Sequence, residues 1–147
     1  MAHVRKQIRD QIASLLTSGV SLVSSRVYTS RIYPLTEAKL PAVTIYTGSE
    51  ASGLMAMGTI TLDRNLMINV DAYVRITDTF DDDIDALAVQ IEESIAADFR
   101  LGGLVKHIVL TGTEIDFSGE SEQPVGVARL TFEARYVTTI GDVETAK

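Results

Sequence analysis

Cysteine is absent from the 147 residues, and with it go thiol catalysis, thiolate-held structural zinc and any disulfide framework. Histidine occurs twice, as His3 and His107, on different predicted elements and without the H-E-x-x-H spacing, so a histidine-built metal site lacks its ligands. There is no G-x-S-x-G elbow to present a nucleophilic serine. Gly102-Gly103 is followed by neither Lys nor Ser/Thr and does not lie between a strand and a helix start, which excludes the common phosphate loops. Positive charge is in deficit: the net charge of -7 excludes a sequence-independent clamp on phosphates, which works by displacing counterions with Lys and Arg. No apolar run approaches the roughly 18 to 20 residues that span a bilayer. The opening MAHVRKQIRDQIASLL carries Arg5, Lys6, Arg9 and Asp10 among its apolar residues and is read as an amphipathic helix, not a signal peptide.

What is present is hydrophobic content of 46% in a chain of single-domain size. Val4, Ile8, Ile12 and Leu15 or Leu16 recur at helical spacing and predict a first helix that ends at Thr17-Ser18-Gly19. Arg26-Val27-Tyr28 is a short extended piece. Pro41 opens the β-branched run Ala42 to Tyr46, a strand with its proline at the start or on an edge. From Gly48 to Gly58 the pattern collapses into a loop. Thr59 to Thr77 alternates, with Leu66, Ile68, Val70, Ala72, Val74 and Ile76 on one face; Asp63-Arg64-Asn65 is either a bend or part of a continuous ribbon. Thr79 is an N-cap candidate, with Asp81, Asp82 and Asp83 in the first turn, where carboxylates suit unpaired amides. Ile84, Leu87, Ala88, Ile91, Ile95 and Phe99 continue this second helix to its stop at Gly102-Gly103. Val105 to Ile115 and Val125 to Val137 predict an antiparallel hairpin with a long linker, 116–124. The expected fold is α+β: a four- to five-stranded, mostly antiparallel or mixed sheet with two main helices, forming one domain over 1–140 and followed by a flexible tail, 141–147.

Two stretches are left over for function. Leu54, Met55 and Met57 lie in the Gly/Ser-rich loop, where flexible Met side chains suit an adaptable contact surface; the alternative is a loop folded back on its own core. The 116–124 linker carries Phe117, Glu120 and Glu122. These six residues are the candidate oligomer or partner interface. The charge is uneven as well, with six basic and three acidic residues in 1–50, three and ten in 51–100, and four and seven in 101–147. That is either an uneven solvated surface or a means of steering head-to-tail association. No catalytic residue, cofactor or metal site is assigned. The cluster Asp81-Asp82-Asp83 with Asp85 lacks the alternating ligands and central Gly of a calcium loop and is read as helix capping. A small metal-dependent hydrolase using Asp71, Asp81 to Asp85 and His107, or a small-ligand binding module, is the alternative from another class.

The stretch Leu40-Pro41-Ala42-Val43-Thr44-Ile45-Tyr46-Thr47-Gly48-Ser49-Glu50, within the order helix, Pro-led strand, Gly loop, long strand, acidic-capped helix and hairpin, resembles the tail terminator proteins of lambda-like bacteriophages with long, non-contractile tails. The resemblance covers most of the chain in layout and this one segment in residues. It implies a virion structural protein whose copies form a ring, commonly six-membered, that caps the tail tube after the major tail protein stops polymerising and presents the surface for head-tail joining. Its partners would be other copies of itself, the major tail protein and a head-completion or connector protein. DNA would traverse the lumen without specific binding, and assembly would take place in the host cytoplasm, with no membrane involved. Another neck or tail-tube component is the alternative of the same class.

Overall fold

The computed structural model describes residues 2–23, 26–29, 40–55, 60–117 and 125–147. Helix α1, Val4–Gly19, starts where the His3 side chain accepts the Arg5 backbone N–H at 3.1 Å, satisfying one of the amides that a helix start leaves open. It buries Val4, Ile8, Ile12 and Leu16, the stripe expected from their spacing. A short 3-10 turn, Ser21–Val23, leads into β1, Val27–Tyr28. Then come β2, Ala42–Leu54, and β3, Thr61–Arg75. Helix α2, Phe80–Ala96, follows, with a 3-10 turn at Leu101–Gly103, β4 at His107–Phe117, β5 at Val125–Thr139 and β6 at Asp142–Ala146.

The strands form one mixed sheet in the order β1-β2-β3-β5-β4, with β6 also on β5. β1 runs parallel to β2 and every other pairing is antiparallel. Thr139 pairs with Thr61 on one side and Asp142 on the other, so β6 takes the edge of β5 that β4 occupies further along. The α+β class with two main helices is as expected, and the sheet has six strands.

Leu66, Ile68, Val70, Ala72 and Val74 of β3 pair across with Ala134, Phe132, Leu130, Ala128 and Gly126 of β5, and all but the glycine belong to one core with the buried stripes of α1 and α2. The helices cross closely: a Cβ on Gly19 would lie 2.2 Å from the Ser94 hydroxyl. Gly126 is needed for a similar reason, since a Cβ there would sit 2.1 Å from the Phe80 ring.

Four features differ from the sequence reading, and one choice it left open, at 63–65, is decided. The loop expected from Gly48 is strand as far as Leu54; the Gly and Ser residues are accommodated by a bulge between Thr47 and Glu50, after which Glu50 to Leu54 pair with Leu66 to Leu62. Asp63-Arg64-Asn65 is continuous ribbon. Helix α2 ends at Ala96, so Leu101 is buried and Phe99, expected on the buried stripe, is exposed. Thr79 holds the N-cap position, yet its hydroxyl donates to the Asp83 carboxylate at 3.1 Å and makes no cap bond to the backbone. The segment 141–147, expected as a flexible tail, turns at Gly141 (φ 86°) and returns as β6, where the Lys147 N–H reaches the Val137 carbonyl at 2.8 Å.

Candidate assembly surface

The sheet is long relative to its helices. At about 3.3 Å per residue β3 and β5 each extend ~50 Å, whereas the helix-covered core on β3 reaches only from Val74 back to Leu66. A polar network closes the core there. The Glu50 carboxylate, brought to the helix side by the bulge, accepts from Arg5 at 2.8 Å, from Arg64 at 3.2 Å and from the Tyr136 hydroxyl. Arg64 also donates to the Thr138 hydroxyl at 3.0 Å. Tyr136 and Thr138 are fully buried, and burial, reinforced by the Glu50 hydrogen bond, pushes the Tyr136 phenol well above its usual range. These are polar groups sealed and paired, as burial demands.

Beyond this seal the sheet ends in a group of exposed apolar residues. Leu54 and Met55, two of the expected interface residues, are exposed there, and Ile60 and Ile140 join them through a bond from the Ile140 N–H to the Ile60 carbonyl at 2.6 Å. Leu54 is 61% exposed and Ile60 66%. Ile60 and Ile140 were missed by sequence because Ile60 fits the buried alternation of β3. The signal available was their position at strand ends, Ile60 two residues after Gly58 and Ile140 just before Gly141. Met57 lies outside the described residues.

Phe117 is the last residue of β4, opposite Gly126, at the other end of the sheet, and Glu120 and Glu122 lie outside the described residues. The two candidate stretches are therefore anchored at opposite poles: β3 begins at the first and ends at the second. Around the second pole stand Asp78, Asp81 and Ile115, which line a common recess with Thr77 and Phe80.

β1 and β4 are the outermost strands of the sheet order. β1 pairs with β2 at Val43 and Thr44. β4 exposes Val109, Leu110 and Ile115. The face away from the helices carries ion pairs and hydrogen bonds. Asp71, only 2% exposed, accepts from Arg129 at 2.9 and 3.2 Å and from the Tyr46 hydroxyl at 3.0 Å, and Arg135 meets Asp63 at 2.8 Å.

The residues of the hydrolase alternative do not converge. Asp71 is opposite Arg129 and His107 opposite Arg135, six places along β5, which is about 20 Å of strand. His3 is occupied as a helix cap. Among the described residues no group of three or more His, Asp or Glu is placed to hold a metal ion, and no helix is long and apolar enough to cross a membrane. A cavity of about 380 Å3 lies between the start of β2 and α2, lined by Leu22, Leu40, Pro41, Val74 and Leu87 with Arg75 and Asp83; this is the feature a small-ligand module would use.

No family model matches the sequence, and no curated protein matches it. Among solved structures, the fold is similar to a chain described as "Virion of native gene transfer agent (GTA) particle", with a TM-score of 0.50 and 11% identity over 86% of this chain and 92% of that one.

Proposed function

We propose that this protein is a structural subunit of a phage-type virion that assembles into a ring, caps the tail tube, stops its polymerisation and offers the surface for head-tail joining. The observation that carries the reading is the fold likeness to a virion chain over 86% of the sequence, reached independently of the strand-and-loop resemblance to tail terminators. The geometry supports it. A ring needs a heterologous contact, one patch meeting a different patch, and the exposed apolar residues Leu54, Met55, Ile60 and Ile140 at one end of the sheet and Val109, Leu110 and Ile115 on β4 supply unlike patches. The two stretches, Leu54, Met55 and Met57 in one and Phe117, Glu120 and Glu122 in the other, are assigned to contacts with other copies, with the major tail protein and with a head-completion or connector protein. An acidic subunit lets DNA pass the lumen without adhering to it.

Electron microscopy of the purified protein mixed with tail tubes tests the reading. Rings seated at one tube end, with halted elongation, are the expected result. Incorporation along the tube, or binding only to connectors, would favour the second reading, a tube or neck component, since the likeness is to a chain of a whole virion and names no position in it.

A further inference from the structure

We infer that neighbouring copies join end to end: the start of α1 and the exposed apolar residues of one subunit seat against the start of α2 and the cavity beside it in the next. The inference rests on the ring reading and specifies its contact. The two ends belong to one strand pair. β2 begins next to Pro41 of the cavity and ends at the exposed Leu54, while β3 starts just after the exposed Ile60 and carries Val74 of the cavity near its end. The patches are unlike, and a contact between unlike patches closes into a ring when the rotation between copies allows it.

The helix starts at the two ends are opposite in charge. α1 opens with Arg5, Lys6 and Arg9 and has no acidic residue in its first turn, so these cations add to the positive end of the helix dipole. Glu50 pairs with Arg5 and Asp10 with Lys6. Arg9 forms no ion pair among the described residues, and its Nε is buried without a hydrogen-bond partner, an exception to the rule that buried donors are satisfied. α2 opens with Asp81, Asp82 and Asp83, and Asp85 follows. Asp83 accepts the Thr79 hydroxyl, whereas Asp81, Asp82 and Asp85 are exposed and meet no cation among the described residues. End-to-end docking brings an unpaired guanidinium to unpaired carboxylates. Two α2 starts facing each other across a two-fold axis would set like charges together.

Shape agrees with charge. At the α1 end Leu54, Ile60 and Ile140 are each more than half exposed. At the α2 end lies the cavity of about 380 Å3, walled by Leu22, Pro41, Val74, Ala86 and Leu87. That is more than twice the ~150 Å3 that takes up a benzene ring, so it has room for more than one aliphatic side chain. Its walls are tied to one another. Arg26 donates to the Pro41 and Leu22 carbonyls at 2.8 and 3.4 Å, and the Leu22 N–H donates to the Gln90 side chain of α2 at 3.3 Å. A hollow built in this way is preorganised, and filling it removes apolar surface of both partners from water. Asp83 belongs to the cavity wall and to the acidic start of α2, so the apolar and the charged match lie side by side.

The test uses the full chain and light-scattering mass, with circular dichroism and the urea midpoint to establish folding. Ala86 is exposed on α2 and lines the cavity, so Ala86→Phe fills the hollow from within the subunit and removes no core contact. This variant is expected to lose the ring and run at the 16.0 kDa subunit mass. Arg9→Glu and, separately, Asp82→Lys/Asp85→Lys are each expected to raise the concentration needed for assembly by about tenfold or more, since like charges then meet. Combined in one chain they exchange the two charges and are expected to restore assembly, which keeps the inference testable if Ala86→Phe fails to fold. A ring persisting unchanged in folded Ala86→Phe, or a folded combined chain that assembles no better than Arg9→Glu alone, overturns the end-to-end contact and leaves the ring reading standing. Dimers formed by Asp82→Lys/Asp85→Lys alone would show two apolar ends meeting each other and overturn it as well. A wild type that is monomeric at all concentrations and on tail tubes overturns both.

Discussion

Replacing Glu50 by alanine removes an acceptor that three side chains share, and the three do not suffer equally. The Arg5 side chain is 40% exposed and returns to water, so its share is that of a surface ion pair, about 0–1 kcal/mol. The Arg64 side chain is 9% exposed and keeps the Thr138 hydroxyl at 3.0 Å and the face of the Tyr136 ring, while the fully buried Tyr136 loses its hydroxyl's acceptor. Breaking a buried pair by removing one partner costs about 3–5 kcal/mol, and an unsatisfied buried hydroxyl about 1–3 kcal/mol. One carboxylate serves both, so the terms overlap, and a loss of about 3–5 kcal/mol is expected for Glu50→Ala. This is a large part of the ~5–15 kcal/mol that holds a domain folded. Glu50→Gln keeps a neutral acceptor of the same shape and is expected to lose about half as much. Urea unfolding followed by circular dichroism measures both. If the orphaned Arg64 charge is the cause, Arg64→Met in the Glu50→Ala background recovers stability. A loss under about 1 kcal/mol at constant m, or a double variant no more stable than Glu50→Ala, refutes the reasoning.

Gly126→Val forces a side chain into the Phe80 ring and is expected to cost about 1–3 kcal/mol, partly recovered by Phe80→Leu; thermal unfolding of the pair checks it. Burial, and then the Arg5 charge, hold the His3 imidazole below its ordinary 6.5, with Glu50 opposing and Arg64 assisting. The unfolded chain therefore binds more protons than the folded one just below pH 6.5, so stability present above that value is lost as pH falls through the folded-state value. Urea midpoints at neutral and mildly acidic pH are expected to show this loss, and His3→Ala to remove that component, since a protonated Nδ1 no longer accepts the Arg5 N–H. Leu54→Ser/Met55→Ser alters two exposed residues and is expected to change stability by less than about 0.5 kcal/mol while reducing binding to tail tubes in a sedimentation assay; an unchanged bound fraction would remove this pole from the interface.

The helices were legible in the sequence because a buried stripe repeats at 3.6 residues whatever lies beneath it: Val4, Ile8, Ile12 and Leu16, and Ile84, Leu87, Ile91 and Ile95, are all buried. The inward face of β3 was legible for the same reason at period two. The end of β2 was not. Ala51 to Leu54 are exposed, so no burial pattern marks them, and backbone pairing to Asn65 through Leu62 alone makes them strand. β6 escaped similarly, as a polar strand held by pairing to Thr138 and Thr139. Of the candidate surface, Leu54 and Met55 were found by composition, while β4 was read as an ordinary hairpin strand. Its exposure depends on which strand ends at the sheet edge, a property of topology that local pattern does not encode.

The bulge at Thr47/Glu50 ties the stable half of the molecule to the exposed half. Before it, Val43 and Ile45 face the helices; in a regular ladder Ala51 and Gly53 would follow them and Glu50 would point away. The extra residue reverses this, so Glu50 meets Arg64 and closes the core, and Leu54, opposite Leu62, shares that face past the point where the core ends. The same irregularity therefore supplies a charge seal and turns the exposed Leu54 to the helix side. Under the assembly reading proposed above, the exposed apolar residues at this end, Leu54, Met55, Ile60 and Ile140, are where a partner would seat.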